Sequence, residues 1–163
     1  MSKGAYYLVR FAHPENLIPA TESFEKYASV VRWDAVDGHV HMVLRTGRDA
    51  DLSDDVSKIT GMEELTRYDI TDDGEDGRTR SAESSAAYVF IETEPSKCES
   101  VRNLLSSIDN VLWTSATKGG CDIVAIVQGK NFDAVEQVVN QRIRLIDGVV
   151  RLKHDRIIDL KQL

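Results

Sequence analysis

The stretch Lys118-Gly-Gly-Cys-Asp-Ile-Val-Ala-Ile-Val-Gln-Gly-Lys-Asn131, KGGCDIVAIVQGKN, decides how this chain is read. Two glycines and a polar Cys-Asp pair lead into an apolar run that another glycine closes, the pattern of a turn feeding a strand. Alternation places Val124 and Ile126 on one face and Ile123, Ala125 and Val127 on the other. Both faces are apolar, so this strand calls for a layer on each side. Turn chemistry accounts for Gly119 and Gly120 through positive φ. It leaves Asp122 open, either as a local hydrogen-bond anchor or as part of a binding site.

Working outward, Ala87–Thr93 is a β-branched and aromatic run that reads as a strand. Ser96 followed by Glu99 fits a capping box, and Cys98, Val101, Leu105 and Ile108 recur at helical spacing. Val111–Ala116 is a second strand, and Asp122–Gln128 a third. Asn131 can cap a helix whose buried stripe is Phe132, Val135, Val139, Ile143 and Ile146, and Gly148 stands where a left-handed residue is wanted. Val149–Leu160 supplies a last strand. The order β-α-β-β-α-β is the split βαβ pattern of a ferredoxin-like unit.

The first half gives the same order. Ala5–Phe11 is a strand, and a helix runs from about Pro19 through Phe24 and Tyr27. Val30–Val36 and His39–Thr46 form a hairpin around Asp37-Gly38, a two-residue turn signal. Leu52, Val56 and Ile59 mark a short helix, and Met62–Ile70 a final strand. AYYLVRF (5–11) aligns with AYVFIET (87–93), and VHMVLRTG (40–47) with DIVAIVQG (122–129), both pairs 82 residues apart. That period implies duplication of a whole domain. Between the copies, residues 71–85, TDDGEDGRTRSAESS, lack apolar periodicity and read as an acidic flexible linker. The expected organisation is therefore a βαββαβ repeat over 1–70, the linker over 71–85, and a second unit over 86–163. Such units leave one sheet face open, which predicts sheet-on-sheet packing within the chain or between chains.

Composition bounds the function. The 163 residues are 42% hydrophobic and 29% charged, the balance of a globular protein. No apolar run approaches the ~20 residues of a membrane helix, and MSKGAYYLVRF lacks the features of a signal peptide, so a cytoplasmic protein without membrane contact is expected. The net charge of −7 disfavours direct nucleic-acid binding, which draws its affinity from basic groups on phosphates. Cys98 and Cys121 have no CxxC or His cluster beside them, so plain thiols are expected rather than a metal site. His13, His39, His41 and His154 are scattered, and no nucleophile elbow or phosphate loop is present. No catalytic residue or cofactor is assigned.

The second half resembles the effector-binding domain of the Lrp/AsnC family of transcription regulators. AYVFIETEP (87–95) and GGCDIVAIVQGKNFDAVEQVVNQRIRLIDGVVR (119–151) carry the resemblance, over about residues 86–160. It implies an ACT-like βαββαβ domain that oligomerises and binds a small effector, commonly an amino acid, in a cleft to which the glycine turn belongs. Gly119, Gly120 and Asp122, with neighbouring Thr114 and Ser115, are the effector-site residues so implied. The family's helix-turn-helix is replaced here by the first repeat, which in the alignment carries Val40 where Asp122 stands. The resemblance thus implies a stand-alone ligand-sensing regulator that works through partners, as a homo-oligomer or with a full-length regulator of the family. Two other readings stay open: a small enzyme of the dimeric α/β-barrel kind with a pocket at His39, His41 and Arg45, and a pure oligomerisation module.

Overall fold

The computed structural model describes residues 4–24, 29–47, 58–59, 61–73, 78–81 and 83–158. They form two compact units, one of residues 1–70 with the C-terminal residues from 158, the other of residues 71–157. The chain is α+β: two ferredoxin-like antiparallel sheets in tandem.

In the first unit β1 (Ala5–Phe11) lies at the centre, flanked by β3 (Met42–Thr46) and β4 (Met62–Asp73), with β2 (Val30–Asp37) outside β3. The sheet order is β4-β1-β3-β2, every pair antiparallel. Alternation in β1 sends Ala5, Tyr7, Val9 and Phe11 into a core with Ala35, Met42 and Leu44, which Leu17 and Ala20 of α1 (Leu17–Phe24) cover. That helix begins two residues before Pro19, behind a 3-10 turn at Pro14–Asn16. Tyr27, Leu52 and Val56 lie outside the described residues; Ile59 packs against the core. The β2–β3 connection is longer than the two-residue turn expected from Asp37-Gly38. The Val36 amide donates to the His41 carbonyl at 2.9 Å, enclosing residues 37–40, while the His41 amide donates to Val9 of β1 at 2.9 Å.

The second unit repeats the plan. β5 (Ser85–Thr93) is central, between β7 (Ile123–Gly129) and β8 (Val149–Ile158), with β6 (Val111–Lys118) outside β7, giving β8-β5-β7-β6. Helices α2 (Cys98–Ser106) and α3 (Phe132–Val138) cover one face. Ala87, Val89, Ile91, Val101, Leu105, Ile108, Ile123, Ala125, Val127, Val135, Val139 and Ile143 make that core, as the alternation and helical spacing predicted. The opposite face carries Val124, Ile126, Tyr88 and Phe90, also buried, the last two stacked at 6.1 Å.

Asn131 caps α3, its Oδ1 accepting from the Ala134 amide at 2.8 Å. Past Val138 the helix widens into a π turn over Val139–Ile143, closed by the Arg144 amide on the Val139 carbonyl at 2.8 Å. An α-helix advances residues i and i+4 past alignment, and the wider turn returns Val135, Val139 and Ile143 to one core-facing line. Phe132 is only half-buried, with the Arg156 guanidinium 5.1 Å from its ring centre. The expected capping box at Ser96 and Glu99 is absent: the N-cap is Lys97, with no side-chain cap. Lys97 instead sets the helix entry through one local and one distant partner, its Nζ bridging Glu94 at 3.1 Å and Asp147, 50 residues on, at 2.9 Å. Both carboxylates raise its pKa, Asp147 the more.

Candidate functional site

The glycine turn is exposed, with Gly119 at φ +116° and Gly120 at φ +147°. These angles favour residues without a Cβ. Asp122 follows, half-buried, and its groups knit the turn to β5. Its amide donates to the Ile91 carbonyl at 2.8 Å, and its carbonyl accepts from the Thr117 amide at 2.9 Å. Its carboxylate Oδ2 accepts from the Thr93 amide at 2.8 Å and lies 3.4 Å from the Thr93 hydroxyl. Thr93 sits at the bulge that ends β5, where the ladder to β8 slips between Glu92 and Thr93. Asp122 is therefore the acceptor for an amide that the bulge takes out of the ladder.

The first unit performs the same task with another side chain. The Phe11 amide, 82 residues before Thr93, donates to His41 Nδ1 at 2.9 Å. His41 and Asp122 also make matching main-chain bonds, to Val9 and Ile91 and from Val36 and Thr117. In the ladders Met42 faces Val9 where Ile123 faces Ile91. The copies thus correspond with an offset of 81 in this region rather than 82, and His41, not Val40, occupies the position of Asp122. The first copy carries one residue more between its first and third strands, and that extra residue hid the equivalence.

Thr114 and Ser115 separate. Thr114 faces Ala125, on the helix-covered side, and Ser115 faces Val124, on the other. Ser115 donates to Asp73 Oδ1 at 2.7 Å. Thr114 opens on a groove between α2 and β6 of about 900 Å3, lined among others by Cys98, Glu99, Arg102, Trp113 and Asp72. Gly119, Gly120, Asp122 and Ser115 do not line it. The turn and the groove meet at Cys98, whose Sγ is 3.8 Å from the Asp122 carbonyl oxygen.

The groove residues were invisible as a set because they come from three separated segments. Residues 98, 99, 102, 103 and 106 share one side of α2, and this polar stripe was the available signal. Arg78 lay within the stretch expected to be linker. Thr71–Asp73 of that stretch continue β4, and Arg78 is clamped onto the unit. Its Nη1 donates to the carbonyls of Ile108 at 2.9 Å and Val111 at 2.7 Å, its Nη2 to Ser106 at 3.1 Å, and its amide to Leu112 at 2.7 Å.

Both thiols are free, Cys98 half-buried and Cys121 buried. Burial pushes the Cys98 thiol up, and pushes Cys121 up to about 12, against the hydrogen bond from Thr117 that lowers it. A thiol-disulfide reagent on the native protein should label Cys98 first and Cys121 only on unfolding; equal rates would contradict this burial. By linkage, the protonated Cys121 contributes its full stability below the ordinary thiol value of 9.0 and loses it as pH climbs toward about 12.

At the proposed alternative pocket, His39 is exposed and His41 Nδ1 is engaged by Phe11. Arg45 donates to the Tyr6 hydroxyl at 3.3 Å, its guanidinium 5.5 Å from that ring's centre.

A ferredoxin-like βαββαβ sheet with a glycine turn and an adjoining polar groove defines the second unit as a small ACT-like domain. Residues 86–158, most of the second unit, match the Lrp/AsnC ligand binding domain. No curated protein matches the chain in sequence. Among solved structures, TTHA0845 from Thermus thermophilus is 23% identical over 46% of this chain and 94% of its own, with a TM-score of 0.44. AsnC of E. coli is 18% identical, with 53% of this chain and 62% of that chain covered and a TM-score of 0.45, so the chain spans less than two thirds of AsnC. The siroheme decarboxylase NirDL, in complex with an iron-uroporphyrin III analogue, aligns over 96% of this chain and 71% of its own at a TM-score of 0.70. Its identity is 8%, which speaks to fold alone. The region before the matched domain is a second ferredoxin-like sheet among the described residues. No helix among them is long and apolar enough to cross a membrane.

Proposed function

We propose that the chain is a regulatory protein whose second unit senses a small metabolite, an amino acid, and which acts on transcription through partner proteins. The observation that carries this reading is the Lrp/AsnC ligand binding domain at 86–158, with a solvent-open groove of about 900 Å3 beside its glycine turn. The groove offers both signs of charge, from Arg78 and Arg102 and from Asp72, Asp73 and Glu99, together with apolar lining from Val111, Leu112 and Ala116. Such a lining suits a small molecule with a charged head and a carbon skeleton. Action through partners is supported by the charge of −7, which opposes phosphate binding. A regulatory role without catalysis is supported by the structural employment of His41 and by the raised thiols.

A thermal-shift screen against the twenty L-amino acids tests the reading. A ligand at a hundredfold excess over Kd should add ~2.7 kcal/mol of stability, which raises the melting temperature by several degrees. A flat response to all twenty would sink the amino-acid reading.

A further inference from the structure

We propose that the groove between α2 and β6 is a binding site for a zwitterionic metabolite, with Arg102 as the anchor for its carboxylate and Glu99 as the acceptor for its cationic group. This rests on the ligand-binding reading of the second unit and deepens it by placing the ligand in the groove rather than at the Gly119–Asp122 turn.

Two guanidinium groups line the groove, and they are employed differently. Arg78 spends both Nη atoms on three main-chain carbonyls, two of them at or just past the C-terminal end of α2 and the third at the start of β6. That is a clamp holding one wall, and it leaves little for a ligand. Among the described residues the Arg102 guanidinium makes one hydrogen bond, from Nη1 to Asp72 Oδ2 at 2.9 Å. Its side chain is only 16% exposed, and its Nε is buried without a hydrogen-bond partner among the described residues. A guanidinium carries five donors and a buried one left without an acceptor is unfavourable. The guanidinium's Nη2 is neither buried nor paired among the described residues, and a ligand carboxylate is the acceptor that suits it. Asp72 holds the Nη1 side in place, so it is a positioning residue for that contact.

The rest of the lining selects against a simple anion. Asp72, Asp73 and Glu99 outnumber Arg78 and Arg102 among the lining residues, so an inorganic phosphate or sulfate would meet net repulsion. Glu99 stands one helical turn before Arg102 on the same side of α2, is exposed, and has no ion pair among the described residues. A ligand with an ammonium group near its carboxylate satisfies both residues at once. Thr114 of β6 lines the same groove.

The test is calorimetric titration of the full chain, first with each of the twenty L-amino acids. Each hit is then compared with its two half-compounds: the amine lacking the carboxylate and the acid lacking the ammonium. The zwitterion should bind, and each half-compound should bind on the order of tenfold or more weakly. Arg102→Gln should lose about tenfold or more in affinity, and Arg102→Lys, which keeps the charge but not the fork, should lose part of that. Asp122→Asn should keep wild-type affinity. Each variant's melting curve establishes that it is folded before titration. Wild-type affinity in Arg102→Gln, with binding lost in Asp122→Asn, would overturn the groove assignment while leaving the amino-acid reading intact. Binding of no amino acid by the wild-type chain would instead overturn that reading.

Discussion

Replacing Gly148 by valine is expected to lower the stability of the second unit by about 2–5 kcal/mol, the sum of ~1–2 for an L residue in left-handed backbone and ~1–3 for over-packing. Gly148 has φ +103°, which the sequence already required at the end of the α3 stripe. A Cβ built on it would lie 2.8 Å from Lys97 Cβ and 3.0 Å from Val101 Cγ2, so the side chain would be driven into the first turn of α2. Its carbonyl also accepts from the Glu94 amide at 2.8 Å, which ties the approach to β8 to the approach to α2. Neither end can give way without moving the helix that carries Arg102. A drop of roughly 10 °C or more in melting temperature is expected for a domain of this size. Scanning calorimetry checks it, with Gly47→Ala as the control. Gly47 needs no positive φ, and among the described residues its Cβ would meet only Val31 Cγ1 at 3.6 Å, so that variant should stay within about 0.5 kcal/mol of wild type. Equal losses for the two glycines would refute the close packing of Gly148 against the start of α2.

What the sequence disclosed follows the range of the forces involved. The β7 alternation, the Asn131 cap, the Val135–Val139–Ile143 stripe and the left-handed Gly148 are local patterns, and each appears in place. The start of α2 was not local. Ser96 and Glu99 have the spacing of a capping box, yet Lys97 takes the cap position because Asp147, 50 residues on, holds its ammonium. The groove escaped notice for the same reason, since Arg78 reaches carbonyls 28, 30 and 33 residues away. The grouping of Thr114 with Ser115 was different in kind. Adjacent residues of a strand point to opposite faces, so period two alone separates them. The offset of the two copies was hidden by a single-residue slip that only the ladder register reveals.

Asp122→Ala should destabilise the second unit by ~1–3 kcal/mol, the range for leaving a partly buried backbone donor without its charged acceptor. The donor is the Thr93 amide, which the bulge at the end of β5 has already removed from the β8 ladder. Asp122→Asn should recover most of that loss, because an amide oxygen at the same site accepts the same hydrogen bond. Urea denaturation of the two variants separates the contributions of hydrogen bond and charge. If Asp122 instead served to pair a ligand's ammonium, the asparagine variant would keep its stability and lose its affinity. The first unit argues for the structural role. There the equivalent amide, that of Phe11, is met by the ring nitrogen of His41, which stacks against Phe11 with ring centres 6.3 Å apart. Two units with different side chains at this place, an imidazole and a carboxylate, supply the same acceptor to the same bulged or terminal strand position. What they share is the acceptor rather than the negative charge. His41→Ala is accordingly expected to cost the first unit a similar ~1–3 kcal/mol. If His41→Ala were silent while Asp122→Ala was not, the charge on Asp122 would have to be explained by something other than the turn.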